Sequence, residues 1–108
     1  MDLAAVERKM VAAAKKHPSR RNVTLRHDST DQIVNFAIYR QESRRQSGGA
    51  GVLIVQTTRF VLLRFFCNVV PQVGDAILDS KTSLTYTIQG VELTYGGLAY
   101  TCTVDMQQ

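Results

Sequence analysis

The chain has 108 residues, of which 44% are hydrophobic and 20% charged. That length fits one domain, able to bury about two-thirds of the surface of its extended form, and it excludes a two-domain enzyme with an interdomain cleft. The net charge of +4 lies wholly in the first thirty residues: seven basic and three acidic side chains stand there, and the remaining 78 residues hold six of each. No run of 18 apolar residues occurs, so a membrane-spanning helix is excluded. The first residues lack the apolar stretch of a secretory signal. With only Cys67 and Cys102, a disulfide scaffold is not expected, and the compartment expected is a reducing cytoplasm.

Residues 1–17 are expected to form a helix. Leu3, Val6, Met10 and Ala13 or Ala14 recur at helical spacing and make a narrow apolar stripe. Asp2 is placed as N-cap, and Lys15 and Lys16 suit the negative end of the helix dipole. His17-Pro18 ends the helix, because a residue before proline disfavours helical dihedrals. So narrow a stripe must pack on something else.

After Pro18 the β-branched and aromatic residues take over. Strands are expected at Val23–Leu25, at Ile33–Arg40 with Val34, Phe36 and Ile38 on one face, and at Gly51–Thr58 and Arg59–Asn68, joined or abutting. Two more are expected at Thr82–Ile88, with Thr94 as the alternative end, and at Leu98–Met106. In the last, Leu98, Tyr100, Cys102, Val104 and Met106 alternate with the other face. Pro71, Gly74 and Asp75 belong to a tight structural turn, and Tyr95-Gly96-Gly97 closes a hairpin. Gln41–Gly51 has no large apolar side chain and is rich in Ser, Gln and Gly. It is expected to be a long mobile loop. The resulting fold class is mainly β: one domain, 1–108, with a barrel or sandwich of five to six strands over 22–106, one N-terminal helix and a flexible loop at 41–51.

The segment Phe60–Cys67 is apolar on both faces. Val61, Leu63, Phe65 and Cys67 share one face; Phe60, Leu62, Arg64 and Phe66 share the other. Either the N-terminal helix covers the outer face or a partner subunit does, and Phe60, Leu62, Arg64 and Phe66 are the candidate subunit interface. The basic surplus at Arg8, Lys9, Lys15, Lys16, Arg20 and Arg21 is either a solvated face or a surface for DNA or an acidic partner.

Catalytic chemistry finds little support. His17, His27 and the two cysteines have no metal-ligand spacing, and no thiol or hydroxyl has an obvious base. Gly48-Gly49-Ala50-Gly51 opens no helix, so it is a hinge rather than a phosphate loop. No enzyme, no metal and no cofactor are expected. The alternative with most chemical support is a small basic nucleic-acid-binding β-barrel, with Tyr39 and Tyr95 as possible outward aromatics and Tyr86 and Tyr100 inward.

The order of motifs adds a resemblance. A short helix and an early strand precede a polar glycine-rich loop. Then come PQVGDAIL (Pro71–Leu78), LTYTIQGV (Leu84–Val91) and LAYTCTV (Leu98–Val104). This order resembles the head-closure, or stopper, proteins of long-tailed bacteriophages. Head–tail adaptors and tail-completion proteins are related alternatives. The resemblance implies a non-enzymatic virion protein of the neck, made in the host cytoplasm. It implies a homo-oligomeric ring, a hexamer or dodecamer, below the portal or adaptor and above a tail-terminator or tail-tube protein. That ring retains packaged double-stranded DNA and docks the tail. It further implies that Arg44, Arg45, Gln46, Ser47, Gly48, Gly49 and Gly51 form a channel or gating loop, whose glycines let it change conformation.

Overall fold

The computed structural model describes residues 3–49 and 51–107. Helix α1 spans Leu3–Lys16, so the expected helix is present; the N-cap expectation for Asp2 lies outside the described residues. Six strands follow: β1 (Arg20–His27), β2 (Thr30–Gly48), β3 (Gly51–Leu63), β4 (Ala76–Asp79), β5 (Thr85–Thr94) and β6 (Ala99–Met106). All neighbouring pairs are antiparallel, and they close into a barrel in the order β1-β2-β3-β6-β5-β4. Closure removes the free edges that an open sheet would present.

The barrel interior is filled from every strand. Val23 and Leu25 come from β1, Val34 and Ala37 from β2, and Phe60 and Leu62 from β3. Ile77, Tyr86, Ile88, Cys102 and Val104 complete it. Phe60 is fully buried at its centre, with the rings of Tyr39 and Tyr86 set edge-on at 5.5 and 5.3 Å. Such T-shaped contacts add to area burial.

A second, smaller core lies outside the barrel wall. Ile38, Val61, Leu63 and Ala99 turn outward and pack with Ala14 of α1; Met10, Val11, Phe36 and Phe66 flank them. Alternation along β3 therefore serves two cores at once, which explains why both of its faces are apolar. The narrow stripe of α1 is the cover.

One local irregularity makes this possible. Arg21 pairs with Ala37, but Val23 pairs with Val34, so Asn22 alone faces Asn35 and Phe36. This is a β-bulge, with Phe36 in the left-handed region at φ 57°. It shifts the inward phase of β2. Val34 points in, and beyond the bulge Ala37 and Tyr39 point in, while Ile38 joins the outer core. Val34, Phe36 and Ile38 thus do not share a face as strict alternation predicts.

The expected turn at Pro71–Asp75 is a built corner. Pro71 is buried and Gly74 adopts φ 96°, which glycine alone takes without strain. Gln72 N–H donates to the Asp75 carboxylate at 3.0 Å, and His27 Nδ1 lies 2.9 Å from both its oxygens. Gly74 N–H donates to Ile88 O, and Ile88 N–H to Asp75 O, each at 2.9 Å. The turn thereby ties the end of β1 to β5 at Ile88. Strand β4 follows at once, its Asp79 carboxylate buried and fully engaged. It accepts from Arg21, from Lys81 N–H and from the Thr82 hydroxyl.

Candidate functional site

The feature that breaks the compact outline is a β-arm. Strand β1 leaves β2 at Ile38, and β6 leaves β3 at Thr58. Yet β2 and β3 stay paired to each other, from Gln41 opposite Thr58 to Gly48 opposite Gly51, without a register shift. Eight residues of strand reach about 25 Å. The radius of gyration is 15.1 Å, against about 13 Å for a compact chain of this length. Gln41 and Gln56 bond across the base at 3.2 Å, and Arg59 Nη1 donates to Glu42 at 2.9 Å.

This corrects the expectation of a mobile loop at 41–51. The segment QESRRQSG looks like a loop because it lacks apolar side chains. Its partner, GVLIVQTT, is strongly β-forming and supplies the apolar half of the ribbon. Arg44 stands opposite Val55, Arg45 opposite Ile54, Gln46 opposite Leu53, and Ser47 opposite Val52. Gly48, Gly49 and Gly51 lie at the tip, with Gly51 at φ 134°. The gating residues expected from the sequence are therefore brought together, on a structured arm. Arg44 and Arg45 are adjacent strand residues, so they lie on opposite faces, and each face carries one cation.

The arm also exposes residues that the sequence analysis did not single out. Val52, Leu53 and Ile54 are 57%, 61% and 63% exposed, and Val55 is also exposed. Alternation places Val52 and Ile54 on one face and Leu53 and Val55 on the other. The available signal was a run of four apolar residues with no charge or proline in 51–58.

The candidate subunit interface requires correction. Phe60 and Leu62 fill the barrel and are fully buried, so they meet no partner. The strand ends at Leu63, and Arg64–Phe66 form one 3₁₀ turn, so the alternation does not continue. Arg64 is exposed. Phe66 packs between Phe36 and Phe65, at ring distances of 5.5 and 5.0 Å. The basic surface is also redrawn. Arg8, Lys9, Lys15, Lys16 and Arg20 are exposed. Arg21 is not: its guanidinium pairs with Asp79 and lies 4.0 Å over the Tyr39 ring.

Beside α1, an open apolar cavity of about 210 Å³ lies between Met10, Ala13, Ile38, Val61, Leu63 and Tyr95. Here the helix covers the wall incompletely. Among the described residues, no group of three His, Cys, Asp or Glu side chains could hold a metal ion. Burial pushes the Cys67 thiol up to about 11 and the Cys102 thiol up to about 12. Both are protonated at neutral pH and poor nucleophiles. A thiol reagent at pH 8 should modify Cys67 slowly and Cys102 only on unfolding; rapid labelling of Cys102 in the folded chain would contradict this burial. Because both folded values lie above the ordinary 9.0, the associated stability is present below about pH 9 and is lost as pH rises toward the folded values.

No protein-family model matches the chain, and no curated protein matches it.

Proposed function

We propose that this chain is a structural ring subunit of a bacteriophage neck, which closes the DNA-filled head and offers a docking surface to the tail. One observation carries the reading. A rigid closed barrel bears a basic, glycine-tipped arm at the point in chain order where a head-closure protein carries its gate. The motif order PQVGDAIL, LTYTIQGV, LAYTCTV supports the same assignment.

The proposed mechanism is mechanical. Barrels sit side by side below the portal or adaptor, and the arms reach toward the axis and narrow the bore. Each face of an arm presents a single arginine, which attracts phosphate without clamping it. Exposed Arg8, Lys9, Lys15 and Lys16 on α1 form a basic surface for an acidic neighbour in the neck.

The test is location. Gold-labelled antibody against this chain should decorate the head–tail junction of particles whose tails have been detached. Label on the tail tip, or none on any particle, would overturn the reading.

A further inference from the structure

The barrel wall closes on itself, but the arm leaves two long strand edges unpaired. They are the outer edges of residues 41–48 in β2 and 51–57 in β3. Their chemistry differs. The β2 edge carries Glu42, Arg44 and Arg45, and the β3 edge carries no charge and no proline. Monomeric proteins protect such edges with charges, proline, bulges or a covering element. Among the described residues none of these protects residues 51–57, the register is regular, and Val52–Val55 are exposed. Left alone, such an edge is an aggregation hazard.

We infer that the arms of successive copies pair edge to edge: residues 51–57 of one copy lie antiparallel to residues 41–48 of the next. The occupant of the free edge is thus a second copy of this chain. Charge selects it. Two β2 edges brought together would set arginines beside arginines, which is destabilising. An uncharged β3 edge receives the basic edge without that penalty. Within one arm, β2 already flanks β3 with Arg44 opposite Val55 and Arg45 opposite Ile54. The next copy's β2 repeats this chemistry on the other side, where arginine stems can lie over apolar neighbours.

Direction agrees. Arms pointing the same way bring β3 of one copy beside an oppositely running β2 of the next. The contact uses two different edges, so it is heterologous, and it leaves no edge free when the ring closes. Choosing it over self-pairing of two β3 edges rests on the ring reading above, because self-pairing stops at a dimer.

The test uses the full chain in two variants that each add one cysteine, Ser43→Cys on the β2 edge and Gln56→Cys on the β3 edge. Ser43 and Gln56 are register partners within one arm, so arms set level bring Ser43 of one copy beside Gln56 of the next. Each variant carries only one of the two added cysteines, so a disulfide between them joins two copies. Mild oxidation of an equimolar mixture at high concentration should give dimers holding one chain of each variant. Each variant alone should show no more cross-linking than the native chain. Sedimentation of the native chain should show oligomers that grow with concentration, and Leu53→Lys should abolish them without shifting the melting temperature. A monomer at every concentration would overturn the inference. So would dimers from Gln56→Cys alone, the signature of self-pairing. Neither result bears on the ring reading, which the copy number in particles decides. Mixed dimers from a chain absent from particles would instead overturn the ring reading and leave the edge pairing standing.

Discussion

Replacing Ser43–Gln56 by Asn-Gly should leave a folded barrel and yield heads that lose their DNA. Glu42 and Thr57 are register partners, and Asn-Gly suits the two-residue turn that would then join them. The substitution keeps the Arg59–Glu42 ion pair at the arm's base. Among the described residues it removes no member of either core, since none lies between 43 and 56. An isolated two-stranded ribbon contributes little stability of its own. The melting temperature should therefore stay within a few degrees of native, a shift of under about 1 kcal/mol. Phage carrying only the shortened chain should package DNA and fail to hold it. Most heads should be empty by electron microscopy, and the titre should collapse. Full heads and a normal titre would remove the gating role and leave the arm without a mechanical purpose.

Phe60→Ala should be the most damaging single substitution in the barrel. The ring is fully buried and is gripped by Tyr39 and Tyr86. Its loss leaves a cavity walled by a closed sheet, which relaxes poorly. The cost is about 3–5 kcal/mol, a large share of the roughly 5–15 kcal/mol that holds such a domain together. Denaturant melts of the isolated chain should show the midpoint fall at unchanged slope. A normal melt with lost assembly would restore Phe60 to the subunit interface where the sequence pattern had placed it.

That contrast shows which parts of the molecule were legible. The Pro71–Asp75 corner was readable because proline, glycine and aspartate each have a specific dihedral or hydrogen-bonding use there. Leu98–Met106 was readable because apolar residues alternate cleanly. Helix α1 announced itself by spacing and by Pro18. The short strand Ala76–Asp79 was visible only as part of the turn motif, since four residues give period-two alternation little room. The bulge at Asn35–Phe36 was not legible: one extra residue inverts the phase, and nothing in VNFAIY marks it. With the phase inverted, Ile38 became an outer residue, and the two apolar faces of β3 found separate cores.

The candidate site was legible in position and not in form. Arg44, Arg45, Gln46, Ser47, Gly48, Gly49 and Gly51 do fall on one segment of the structure, but polar composition suggested a loop where β2 runs. Strand pairing is a property of two segments, and the β-forming power lay in Val52–Val55 across the turn. Arg21 was counted with the surface cations because its partner, Asp79, is 58 positions away. Only the closure of β1 on β4 brings them together.

The measurement that tests the neck-ring assignment most directly is a count of this chain in purified particles, by quantitative mass spectrometry scaled to the portal protein. The account predicts a small fixed number, equal to the portal's copy number or half of it. Absence from intact particles would contradict it. The exposed cations of α1 would then point to a nucleic-acid-binding barrel, recognised by affinity that falls steeply with salt.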